Sequence, residues 1–301
     1  MARYSRLIFS MKNSRLKVLE VWVKPSLLDL ALGYLFQHGI STLEEKKQGK
    51  MILLTAELRG ARKSILRDLQ KLTFHQNPLF QKIQIVKIRN QKWAQNYKKT
   101  LRPFPLVYSS PPQKSRSILL WVDPRSQKPA QISPHTLWIE AGLAFGTGTH
   151  PTTRLCAQLL SENLLRPKVS GLLDLGCGTG LLAMVGSKLG IRKIWAVDND
   201  PLALKVSEEN FSKNKIQNIY LKADLKKVPK NFDVILANIL LVTLLELKKE
   251  IVKRLKKKGI LILSGLLYKD CPEMIKAYKK EGLHFLEQRN QKGWSALVFR
   301  N

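Results

Sequence analysis

The chain reads as an α/β protein in two parts. A small α+β domain comes first, and a larger domain follows, built on a mostly parallel sheet that closes with an antiparallel hairpin. Three observations predict this. At 301 residues the chain exceeds one ordinary domain. From about residue 137 onward, strand-like and helix-like apolar patterns alternate. Ahead of them, residues 17–88 carry a different order, two strands back to back between two helices.

In the first part, residues 17–24 (KVLEVWVK) alternate apolar and polar, as a half-buried strand does. Pro25-Ser26 opens a helix whose apolar positions Leu27, Leu30, Ala31, Tyr34 and Leu35 recur at helical spacing, and Gly39 can end it. Residues 40–46 and 51–58 read as strands joined by a turn at Gln48-Gly49, residues 61–72 as a helix and residues 82–88 as a strand. The order β-α-β-β-α-β is the split βαβ, ferredoxin-like pattern. Residues 1–89 are therefore expected to form an accessory domain with nothing catalytic in it. Trp93 and Tyr97, four apart, share a face of a linker helix over 90–105, which Pro103 and Pro105 stop. Pro111-Pro112 and residues 123–133 read as loops.

Residues 106–301 form the larger domain. Strands are expected near 171–175, 193–198, 218–223, 231–237 and 259–264. Helices are expected over 151–164, 179–190, 200–214, 241–257 and 270–281. The last two strands, 283–290 and 293–300, meet tightly at Lys292-Gly293 and suggest an edge hairpin. Such alternation gives a parallel sheet wrapped by helices.

The 44% hydrophobic content supplies a core, and no stretch approaches the roughly 20 apolar residues of a membrane span. Cys156, Cys177 and Cys271 have neither pairing parity nor metal-ligand spacing, so free thiols in a reducing, cytoplasmic compartment and no metal are expected. The net charge of +30 has two readings that composition leaves open, attraction to polyanions such as RNA or a lysine bias on solvated faces. The first 17 residues hold five basic residues and no acidic one, which fits a frayed basic terminus or a targeting segment.

Two glycine-dense turns carry the chemistry. In SGLLDLGCGTGLLA, Gly176, Gly178 and Gly180 fill a strand-to-helix turn. Glycines there let the backbone approach a ligand and the helix pack on the sheet. The G-x-G-x-G spacing lacks the lysine of a phosphate-cradling loop and differs from the dinucleotide fingerprint, so a ligand with an adenosine part and no phosphate fits better. Asp198 ends the next strand, 22 residues after Gly176, where an acidic residue can accept from ribose hydroxyls. Asp200, followed by Pro201, reads as the cap of the next helix. Asp224 suits either an adenine amine or a turn. Asn238 ends the fourth strand at the mouth of the sheet, offering donors and an acceptor; capping the next helix is the plainer role, but the other ligand-facing signals converge on the same edge and favour the functional one. These features resemble a class I S-adenosylmethionine-dependent methyltransferase, which implies S-adenosyl-L-methionine as cofactor.

The other turn, FGTGTHPTT at 145–153, starts a helix at Pro151 with Thr149 or His150 as cap. Lying just before the first parallel strand, it is placed to wall the same ligand. This stretch, with LDLGCGTGLLA, VDNDPLAL, ANIL and the linker W-x-x-N-Y-K-K, is similar to the signature of the PrmA family, the ribosomal protein L-eleven methyltransferases. The resemblance runs from about residue 90 to the end. It implies that Thr153 and Gly176 contact the cofactor, that Asp198 takes the ribose, and that Asn238 lies near the methionine end and the incoming amine. It also implies methylation of lysine or N-terminal amines of ribosomal protein L-eleven, gripped by the N-terminal domain on a swinging linker; a monomer is expected. Glu140-Ala141 stands where the family usually has Asp-Pro.

An RNA N-methyltransferase is the alternative. Against it, Ile239 and Leu240 follow Asn238, leaving no aromatic to stack a flipped base. A non-enzymatic ribosome-assembly protein is the third reading. Cys177 reads as a small packed side chain with no base near it.

Overall fold

Alternation in the first strand puts Leu19, Val21 and Val23 on one face, and all three are buried. They belong to β1 (Arg15–Val23), which pairs antiparallel with β3 (Met51–Glu57) on one side and β4 (Lys82–Arg89) on the other. β2 (Leu43–Gln48) pairs with β3, giving the order β2-β3-β1-β4. The turn between β2 and β3 uses Gly49 at φ +60°. Ala31 and Leu35, one helical turn apart, are also buried. The computed structural model describes residues 15–28, 31, 35, 43–57, 82–89, 104–109, 118–123, 136–139, 146–164 and 169–301. The expected helix at 61–72 and most of the linker at 90–105 lie outside these residues, so the ferredoxin-like reading rests on its strands alone.

The chain divides into two compact units, Met1–Leu101 and Arg102–Asn301. Residues 104–105 belong not to a linker helix but to β5 (Phe104–Ser109), where Pro105 sits in a strand beside a register shift. β5 pairs antiparallel with β6 (Ile118–Asp123), which runs parallel to β7 (Thr136–Trp138). None of these three strands is among those expected from the sequence.

The main sheet of the second unit has the order β10-β9-β8-β11-β12-β14-β13. Its strands are β8 (Gly171–Leu175), β9 (Lys193–Val197), β10 (Ile219–Lys222), β11 (Phe232–Asn238), β12 (Leu255–Leu267), β13 (His284–Gln291) and β14 (Trp294–Arg300). The first five are parallel, and β14 and β13 are antiparallel. A two-residue hairpin turn of type I′, which follows the twist of its strands, needs positive φ at both central positions. Lys292 and Gly293 supply it, at 48° and 80°.

Alternate residues of the inner strands feed two cores, as a sheet covered on both faces demands. Leu172, Val234, Leu236, Ile260 and Ile262 face a core shared with α1 (Pro151–Asn163) and α2 (Leu181–Lys188). Phe211 of α3 (Pro201–Lys213) joins them. Leu173, Ile235, Leu261 and Leu263 face a core with α4 (Leu241–Val252) and α5 (Cys271–Lys280). The expected helix over 241–257 is shorter, because β12 already begins at Leu255; the register shift between Phe232 and Val234 lets the strand's first residues bulge before regular pairing resumes at Ile260.

Candidate active site at the carboxyl edge of the sheet

Strand order reverses between β8 and β11: from β8 the chain runs outward through β9 and β10, then returns to β11 and β12 on the other side. A parallel sheet opens a crevice at the carboxyl ends of its strands at such a point. Gly176 follows β8, Asn238 ends β11 and Asp198 follows β9. The four residues expected to bind cofactor thus include three at one edge. Thr153, in the first turn of α1, is the fourth, and the Asn238 Nδ2 donates to its Oγ1 at 3.4 Å.

Asn238 and Thr153 are both buried, and the Asn238 Oδ1 has no hydrogen-bond partner. A buried amide oxygen left unpaired costs about 1–3 kcal/mol, and this one lies at the carboxyl edge of the sheet. Asn238 does not cap α4, whose N-cap is Leu240.

The glycine loop is held from three directions. Gly176 and Cys177 donate backbone N–H to the Val197 carbonyl, at 2.8 and 2.9 Å. From α3, Ser207 donates to the Gly178 carbonyl at 2.7 Å and Asn210 to the Thr179 carbonyl at 2.9 Å. Gly176 sits at φ +72°, and the space a Cβ would fill is taken by the Ile239 side chain. At Gly180, Phe211 fills the same role. Part of what reads in the sequence as room for a ligand is therefore room for neighbouring side chains.

Asp198 accepts from the Gly178 N–H at 2.9 Å and the Asp200 N–H at 3.0 Å, one through each carboxylate oxygen. Its remaining lone pairs can take hydroxyl donors. Asp200 caps α3, accepting from the Leu202 N–H at 2.9 Å. Asp224 caps the short 3₁₀ turn at Leu225–Lys227 and is exposed, which is the turn role of its two sequence readings. Beneath the loop, Asp174 is fully buried and accepts from the Ala183 N–H at 2.9 Å. Burial, opposed by that hydrogen bond and aided by the Asp198 charge, pushes its carboxyl up to about 7. Cys177 is buried against Ser207, and burial raises its thiol well above the ordinary value, so it is no nucleophile.

The second glycine turn joins the first. The Thr179 hydroxyl donates to the Gly146 carbonyl at 2.7 Å. His150 is the cap of α1, and its ring meets Trp294 of β14 edge-on, with centroids 4.6 Å apart. Burial pushes the imidazole down to about 4, so it is neutral near pH 7. Arg154 donates to the Gly148 carbonyl at 3.3 Å and lies over the Phe104 ring. The sequence reading misses Asp174, Thr179, Ser207 and Asn210. The last two stand three apart on a helix, a polar pair on a face that would otherwise be apolar.

Taken with its relatives, this fold and site define the class: the chain has the class I methyltransferase fold. It is similar to the solved ribosomal protein L11 methylase from Lactobacillus delbrueckii subsp. bulgaricus, with a TM-score of 0.53 and 29% identity over 60% of this chain and 93% of that one. The chain belongs to the PrmA family, ribosomal protein L11 methyltransferase, whose family model matches residues 36–301, and it is accordingly a methyltransferase. It is 32% identical over 271 residues to the ribosomal protein L11 methyltransferase of Thermosipho melanesiensis, covering 89% of this chain and 91% of that protein. It is 35% identical over 223 residues to that of Pelobacter propionicus, covering 71% and 68%.

Proposed function

We propose that this protein transfers methyl groups from S-adenosyl-L-methionine to amino groups of ribosomal protein L11, on lysine side chains, the N-terminal amine or both. The substrate reading is supported by family membership and by the names of the relatives. The observation that carries the chemistry is the buried, unpartnered Oδ1 of Asn238 beside Thr153.

The residues present fit the cofactor. Asp198, with both oxygens already oriented by backbone N–H groups, suits the ribose diol. The glycine loop suits a close backbone approach, and Thr153 and Asn238 suit the polar methionine end. The bound cofactor supplies a sulfonium-activated methyl group that needs no further activation.

The protein's task is to present a neutral amine in line and exclude water. A lysine amine has an ordinary pKa near ~10.4 and an α-amine near ~8; desolvation in the crevice lowers both. The Asn238 oxygen accepts an N–H and orients the amine. His150 adds no positive charge at neutral pH, because burial keeps it unprotonated. Val242 and Tyr268, on the segments after β11 and β12, are 62% and 63% exposed and offer an apolar lip for a protein substrate. The four-stranded first unit contributes to substrate recognition. Three buried free thiols among the described residues support a cytoplasmic setting, and no helix among them is long and apolar enough to cross a membrane.

Asn238→Ala tests the assignment. Turnover should fall about 10²-fold or more, with S-adenosylhomocysteine binding weakened far less. Full turnover with normal binding would remove Asn238 from the mechanism.

A further inference from the structure

The opposite edge of the main sheet is strongly basic. In a parallel sheet the amino ends of the strands and the carboxyl ends of the following helices share one edge. Here that edge carries Arg192 and Lys193 at the start of β9, Lys215 after α3, Lys230 before β11, and Lys257 and Lys258 near the start of β12, all exposed. Three carboxylates near this edge are already engaged, whereas Glu281 at the end of α5 has no ion pair among the described residues. Asp233 pairs with Lys256, Glu250 with Arg254 and Lys253, and Glu162 with Arg289. None of the six cations named first has an ion pair among the described residues.

Lysine at a helix end is an ordinary response to the helix dipole. That accounts for Lys279 and Lys280 at the end of α5, but not for cations where strands begin. Lys215 and Lys258 stand out further. Both hold left-handed backbone, at φ 56° and 62°, where glycine or asparagine fits without strain.

We propose that the amino edge of the sheet is a docking surface for the phosphodiester backbone of RNA. Uncompensated, exposed cations on one face match a polyanion, and sequence-independent contact to phosphates is what such a face supports. RNA held there lies on the side of the sheet away from the carboxyl-edge site, which stays open to its substrate. The proposal is independent of which amine receives a methyl group.

The test is binding of the full chain to a short RNA hairpin across a range of salt concentrations. One variant combines K193Q, K215N, K230Q, K257Q and K258N, with asparagine chosen where the backbone is left-handed. The comparison variant carries K46Q, K47Q, K50Q, K205Q and K226Q, exposed lysines elsewhere. The edge variant should lose at least about tenfold in affinity, and its salt slope should flatten by roughly 0.7–0.9 per phosphate contact removed. The comparison variant should lose less than a third as much. Equal losses in the two variants, or no salt-dependent binding by the unmodified protein, would overturn the proposal. Amine-reactive labelling of the unmodified protein gives a second readout that needs no variant. RNA should protect Lys257 and Lys258, and labelling unchanged by RNA would also overturn it.

Discussion

The Thr179 hydroxyl donates to the Gly146 carbonyl at 2.7 Å, across 33 residues of chain. This one bond explains why two glycine turns are needed so close together: each starts a helix, and the two lock into a single wall. Thr179 is fully buried and Gly146 sits at φ +101°, so neither turn can shift without the other. Thr179→Val removes the bond and keeps the shape. It should cost about 0.5–1.5 kcal/mol and weaken S-adenosylhomocysteine binding several-fold by calorimetry. Thr179→Ser should restore most of both.

Gly176 and Ile239 share one space. A Cβ at Gly176 would lie 2.1 Å from Ile239 Cγ2, at a backbone φ of +72°. Gly176→Ala should destabilise the fold by about 2–5 kcal/mol, from overpacking and left-handed strain together. Adding Ile239→Ala should recover the overpacking part. A double-mutant cycle in urea denaturation measures that coupling; strictly additive losses would show that the two side chains do not compete.

Asp174 makes stability depend on pH in an unusual direction for a carboxylate. Its carboxyl is raised from the ordinary 3.8 to about 7 by burial, against the Ala183 hydrogen bond and with help from Asp198. Between those values the folded state holds a proton that the unfolded state has lost. Its contribution is fully present below pH 3.8 and is lost as pH rises through about 7, on the order of 4 kcal/mol in all. Asp174→Asn removes this dependence. Relative to the parent, the variant should gain stability from about pH 5 to about pH 8 in urea melts, and a constant difference would refute the raised carboxyl.

Lys215 and Lys258 hold positive φ without glycine. Replacing each with glycine relieves roughly 1–2 kcal/mol of strain, partly offset by glycine's entropy. Each variant should gain about 0.5–1 kcal/mol in thermal melts with turnover unchanged. A loss of stability would mean the lysine side chains make contacts that outweigh the strain.

The alternating second half of the chain is legible because its inner strands are buried on both faces and α1 and α3 carry side-chain caps followed by proline. Asp200 at α3 and the Lys292-Gly293 turn follow directly from local chemistry. The strands β5 to β7 are not legible. Pro105 and Pro111-Pro112 read as breaks, and β7 is only three residues long. At the site, Asp198 and Asn238 announce themselves by standing at strand ends. Thr153 and the family's substrate come from resemblance alone. The polar residues of α3 that pin the glycine loop stay hidden, because Ser207 and Asn210 share a face with Ala203 and Phe211, and their partners are backbone carbonyls of the loop. The Gly176–Ile239 packing needs two loops side by side, which no local pattern contains.

The most direct measurement gives the purified protein methyl-labelled S-adenosyl-L-methionine and undermethylated large ribosomal subunits, then separates RNA from protein. The expected result is label confined to ribosomal protein L11, on amines that peptide mapping identifies, and lost with Asn238→Ala. Label in RNA, or none at all while the cofactor still binds, would contradict the account.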